Sequence, residues 1–154
     1  MQVPGLEFAQ VPVTDVAHAI QLSLAPVFLL NGVGVLLALL TSRLARIVDR
    51  ARLMEQRLPV VAEEERAKLH EQLATSSRRC RLMNRAITLS TFAALLVAAI
   101  VALLFATAFL PFRLGSPIAV IFIVAMLSLV GSLWCFLIEI RISTLSLRFG
   151  TARR

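Results

Sequence analysis

The chain is short of almost everything that chemistry at an active site requires. It has two histidines and two cysteines in 154 residues, no nucleophile with a histidine nearby, no Cys/His set at metal-ligand spacing and no glycine-rich phosphate loop. His18 and His70 flank the first apolar block on opposite sides, so they cannot share a metal ion. An intramembrane protease would need paired carboxylates, or a serine with a histidine, inside an apolar block; neither occurs. These absences argue against an enzyme, and no cofactor or metal is expected. Cys80 falls in a charged segment and Cys135 in an apolar block, which predicts free thiols rather than a disulfide.

Two further absences bear on location and partners. Residues 1–19 contain no Lys or Arg but do contain Glu7 and Asp15, whereas a secretory signal needs a basic start and a shorter apolar core, so the first block is expected to be retained. The basic residues are not interleaved with aromatics, which argues against nucleic acid. Anionic lipid headgroups are the expected partners of the net charge of +7, at about 1 kcal/mol per basic residue near the surface.

What the chain has is apolar length. It is 58% hydrophobic, more than an ordinary soluble domain, and the excess falls in three blocks, 20–41, 86–110 and 117–138. Each meets the roughly 20 residues that a bilayer-spanning helix needs. The expected fold is all-α, a single integral membrane domain with three transmembrane helices, the first two extended into a helical coiled-coil hairpin. Its parts are an outer segment (1–14), a first span with its arm (15–58), a return arm with the second span (60–110), and a third span with an extension (116–149). Eleven of the sixteen Lys and Arg lie between Arg43 and Arg85, four follow the third block, and Arg113 alone lies on the other side. The positive-inside rule then places the N-terminus outside and the hairpin and C-terminus in the cytoplasm.

The first helix organises the rest. Pro4, Gly5 and Pro12 argue for an extended start, Thr14 or Asp15 can cap the helix, and Pro26 predicts a kink near the outer surface. No strong breaker follows until Pro59, so the helix should leave the membrane and project roughly 25 Å beyond it. At about 100° per residue, Ser23, Val27, Asn31, Gly34, Ala38, Thr41, Ala45 and Asp49 share a small or polar face, the candidate interface or pore lining. Leu44, Ile47, Ala51, Met54 and Leu58 form an apolar seam, and Arg43, Arg46, Arg50 and Arg57 a basic ridge. Glu63, Glu64 and Glu65 suit the first turn of the return arm, where Arg57 can pair with them. Ala62, Leu69, Leu73, Ser76, Cys80, Met83 and Ile87 can face the seam, with Arg66 interrupting.

In the second span Ala86, Ser90, Ala94, Ala98, Ala102 and Ala106 repeat every four residues, a candidate packing stripe that lets another helix approach closely. Residues 111–116 read as a tight outer turn that makes the second and third spans antiparallel neighbours. In the third span Ser128, Ser132, Cys135 and Glu139 share a face, with Gly131 beside them. Glu139, at its inner edge, is expected to pair with Arg43, Arg46 or Arg85 rather than carry protons. Arg43, Arg46, Arg50 and Arg85 are otherwise candidates for lipid headgroups, with an ion vestibule as the alternative. Asn31 reads either as interhelical glue or as one residue of a pore-lining ring.

Two segments carry a family resemblance. Residues 25–34 (APVFLLNGVG) followed by 43–52 (RLARIVDRAR) resemble the bacterial membrane family known as domain of unknown function 2721, and 81–87 (RLMNRAI) with Glu139-Ile140 and Ser146-Leu147-Arg148 are similar to its later motifs. The resemblance covers residues 16–148. It implies a three-span protein of the bacterial inner membrane and carries no activity or site residues with it. From the residues themselves, two functions are expected: a homo-oligomer with an ion-conducting pore lined by the first helix, or a non-conducting scaffold or regulatory subunit whose hairpin binds a partner.

Overall fold

The computed structural model describes residues 13–59, 62–109 and 115–148, and three helices account for nearly all of them: α1 (Val13–Arg57), α2 (Glu63–Phe109) and α3 (Gly115–Arg148). Each contains a stretch long and apolar enough to cross a membrane. The expected outer segment before Val13, the turn at 110–114 and the tail after Arg148 lie outside the described residues. Pro26 sits within α1 without ending it, as a membrane helix tolerates when neighbours absorb the lost donor. α1 stops at Arg57, immediately before the Leu58-Pro59 turn, where Leu58 N–H donates to the Glu55 carbonyl at 3.2 Å. Glu63 opens α2, and the Ala62 carbonyl accepts from the N–H groups of Glu65 (3.0 Å) and Arg66 (3.2 Å). At this tip Glu63 pairs with Arg66 at 2.9 Å, its neighbour one turn along, an exposed contact that contributes little.

α2 is the central helix. It packs against α1 along one side and α3 along the other. Buried positions recur at seven-residue intervals or at three and four: Pro26, Val33, Leu40 and Ile47 on α1; Met83, Ala86, Ser90, Ala93, Val97 and Ile100 on α2; Ala125, Ser132 and Glu139 on α3. Leu40, Ile47, Met83 and Ala86 form one cluster, bordered by Leu44, Cys80, Cys135 and Phe136, which brings all three helices to the same level. Both cysteines are free thiols.

Most of the apolar surface faces away from this seam. Phe28 is 71% exposed, Leu127 66% and Trp134 64%, and contiguous apolar exposure on this scale is the surface of a protein solvated by lipid rather than water. In lipid, apolar burial no longer drives helix association, so close packing and interhelical hydrogen bonds must do so. One such lock joins α2 to α3. Ser132 Oγ donates to the Ala86 carbonyl at 2.7 Å and lies 2.6 Å from Ser90 Oγ, so the Ser90 hydroxyl is left as donor to Ser132. Gly131 lies beside this lock, where a Cβ would sit 3.4 Å from Leu89 Cδ1, an ordinary contact.

Candidate functional site: an arginine cleft tied by Glu139

The polar chemistry of the described residues collects where the apolar blocks give way to charge. Glu139 follows the third block directly, and α3 carries it on inward, against α2 and the end of the α1 span; its side chain is 1% exposed. Its Oε1 accepts from Arg79 Nε (3.2 Å) and Nη2 (2.8 Å) and lies 2.7 Å from Ser143 Oγ. Arg43 Nη1 approaches Oε2 at 3.5 Å, while the Arg43 guanidinium lies over the Phe136 ring, 5.1 Å from its centroid. Arg79 also donates to Ser143 Oγ. A charge this buried is tolerable only when paired and hydrogen-bonded, and here one carboxylate holds a guanidinium from each of the other two helices.

Beside this knot is an open cleft of about 300 Å³ between the helices, lined by Arg43, Arg46, Arg50, Arg79, Ser76 and Glu139. Arg43, Arg46 and Arg50 repeat at i, i+3 and i+7, so they line one side of α1; Arg79 and Ser76 come from the facing side of α2. Arg46 and Arg50 have no carboxylate partner among the described residues.

The expected partners of Glu139 are thus corrected. Arg43 makes the contact, but Arg46 lines the cleft without reaching Glu139, Arg85 is exposed, and Arg79 is the principal donor. The wheel explains why: at 100° per residue Arg79 falls on the buried Ser76 and Met83 side of α2, whereas Arg78, Arg81 and Arg85 point away from it. Nearness of Arg85 to the membrane mattered less than the face it occupies.

The small-residue stripe of α2, which the sequence offers as a contact either within one subunit or between subunits, is covered within the chain at one end. Ala86 and Ser90 are buried and Ala94 half-buried, but Ala98 and Ala102 are exposed. A four-residue step advances about 40° beyond a full turn, so five steps carry the stripe about 200° around the helix. The contact instead follows Ala93, Val97 and Ile100.

On α1, Ser23 is buried and donates to the Ile20 carbonyl at 2.8 Å. Val27, Asn31, Gly34, Ala38, Thr41, Ala45 and Asp49 are exposed along a face that α2 leaves uncovered. Thr41 Oγ1 returns its proton to its own helix, 2.8 Å from the Leu37 carbonyl. The Asn31 carboxamide makes no hydrogen bond among the described residues. Of the seam residues, Ile47 is buried and Leu44, Ala51, Met54 and Leu58 half-buried, and of those opposite, Ser76 and Met83 are buried while Leu69, Leu73, Cys80 and Ile87 are half-buried and Ala62 is exposed.

Comparison with known proteins adds the family. The profile of the family described as Protein of unknown function (DUF2721) matches residues 23–149. The chain belongs to that family. No curated protein matches, and no solved structure does. The DUF2721 match takes in the Asn31 face, the arginine cleft and Glu139, and the three apolar helices make this member a multi-pass membrane protein.

Proposed function

We propose that this DUF2721 protein is a homo-oligomer of a bacterial inner membrane, in which the Asn31 face of α1 meets copies of itself around an ion-conducting axis. The observation that carries the reading is the Asn31 side chain, exposed within an apolar block and without a hydrogen bond among the described residues. A carboxamide has two donors and an acceptor, and leaving them unsatisfied in hydrocarbon costs several kcal/mol. A second copy supplies the missing partners. Gly32 and Gly34 would meet nothing within 4 Å if they carried a Cβ, so another backbone has room to approach.

Three helices in a row enclose no water path, so a pore belongs between subunits. Asn31 would be its polar girdle and Asp49 its mouth, since the Thr41 hydroxyl is engaged with its own helix. The basic bias places the hairpin and C-terminus in the cytoplasm and the N-terminus outside, with the hairpins, coiled about one another, as a vestibule. Arg85 and the outer edge of the α1 ridge face anionic headgroups. Ions are carried, not converted: no catalysis, cofactor or nucleic-acid partner belongs to this reading. Single-channel recording of purified protein in planar bilayers tests it. Native protein should conduct and Asn31→Leu should lose or alter the conductance; unchanged currents, or none in either, overturn the pore.

One observation favours a second reading, a non-conducting scaffold or regulatory subunit. Leu53 is 61% exposed on the arm beyond the apolar block, where neither lipid nor α2 covers it, and an apolar side chain there suits a partner protein docked on the hairpin.

A further inference from the structure

We infer that the cleft between the α1 and α2 arms is a binding site for one phosphoryl group, held by Arg46 and Arg50 with help from Ser76. This goes beyond the assembly proposed above and does not depend on it.

Charge is the first reason. The cleft is lined by four arginines, Arg43, Arg46, Arg50 and Arg79, against the single carboxylate of Glu139. Glu139 is already engaged by Arg79, Ser143 and Arg43, and the exposed Arg46 and Arg50 have no carboxylate partner among the described residues. Even with Glu71, which lines the adjoining hollow together with Arg50, Thr75 and Ser76, positive charge dominates. Like charges at i, i+3 and i, i+4 repel along a helix, so this row costs stability until an anion is placed among them.

Geometry is the second. Arg46 and Arg50 stand one turn apart on α1 and face the same open volume as Ser76, whose residue is 9% exposed and whose hydroxyl makes no bond among the described residues. Two guanidinium forks and a hydroxyl around one volume match the oxygen-rich, tetrahedral surface of a phosphate, which accepts charge-assisted hydrogen bonds in parallel pairs. The volume, about 300 Å³, is about that of ten water molecules, enough for a phosphoryl group with its residual hydration. Glu139 contributes by what it prevents: by holding Arg79 and Arg43 in place it keeps the rim rigid, so little ordering remains to be done on binding.

The cleft lies at the level where the apolar blocks end, within reach of a phospholipid headgroup and of soluble phosphate esters alike. The test separates these sources. Native protein and two double variants, Arg46→Gln/Arg50→Gln and Arg78→Gln/Arg81→Gln, are purified identically. The second pair removes the same charge from exposed α2 positions outside the cleft. Thermal unfolding in detergent, with and without phosphatidylglycerol or pyrophosphate, gives apparent affinities, and native mass spectrometry counts retained phospholipid.

The expected result is a loss of about tenfold or more in affinity for the cleft variant alone. If phosphatidylglycerol is the ligand lost, the source is lipid; if pyrophosphate alone is lost, the source is soluble. Equal losses in both double variants, or no loss in either, overturn the site, since the first means diffuse surface attraction and the second no binding through these arginines. Neither Arg46 nor Arg50 pairs with another of the described residues, so unfolding of the unliganded cleft variant should match native protein.

Discussion

At the residue scale, Glu139 bears the largest share of the interhelical polar contacts. Its removal leaves Arg79 and Arg43 beside a space that no longer offers charge. Breaking a buried pair from one side costs about 3–5 kcal/mol; because Arg79 and Arg43 keep 24% and 36% of their surface exposed, Glu139→Gln should lie near the lower end, about 3 kcal/mol. Unfolding in mixed micelles measures it. The two arginines are not equivalent. Arg79 makes two charge-assisted bonds at 3.2 and 2.8 Å, Arg43 one contact at 3.5 Å. Arg79→Gln should therefore cost clearly more than Arg43→Gln, and Arg85→Gln, exposed, less than about 0.5 kcal/mol. Equal effects for Arg79 and Arg85 would contradict the arrangement around Glu139.

At the element scale, the length and continuity of the helices were legible because each apolar block is bounded by breakers that act locally. Pro59 ends α1, and the glutamates at 63–65 begin α2. Which face each helix buries was legible for the α1 seam, where Leu44, Ile47, Ala51, Met54 and Leu58 keep three-four spacing, and for Ser132 and Glu139, seven residues apart on α3. It was only partly legible for α2, where the four-residue repeat coincides with the contact inside the chain at Ala86 and Ser90 and departs from it by Ala98, because that period drifts around the helix. Arg79 was missed for a related reason: its face had to be weighed before its distance from the bilayer. A direct comparison follows. Ala93 is 1% exposed and Ala98 is exposed, so Ala93→Leu should overpack the seam and cost about 1–3 kcal/mol, whereas Ala98→Leu should change stability by less than about 0.5 kcal/mol. The reverse order would restore the four-residue stripe as the contact. Ser132→Ala removes two interhelical bonds and should cost about 1–2 kcal/mol in the same assay.

At the scale of the whole molecule, α2 packs against both α1 and α3, and the outer surface is mostly apolar on all three helices. The flanks of α2 and α3 present Leu95, Leu127 and Trp134, side chains at ease in acyl chains. The uncovered side of α1 exposes Leu24, Phe28 and Val35 as well, and among them it presents the Asn31 amide, Gly34 and small residues. Nothing about that face could be ranked from sequence alone, because small polar stripes serve contacts within a subunit and between subunits equally well; among the described residues, α2 packs on the other side of α1. The most direct measurement is the subunit count of purified protein in lipid nanodiscs by native mass, for the native chain and for Asn31→Leu/Gly34→Leu. Both positions are exposed, and a Cβ at Gly34 would meet nothing within 4 Å, so the variant should fold with unchanged helicity. The expected result is a ring of about four or more native copies that falls to monomer in the variant; a native monomer, or an unchanged ring in the variant, would contradict assembly through the Asn31 face.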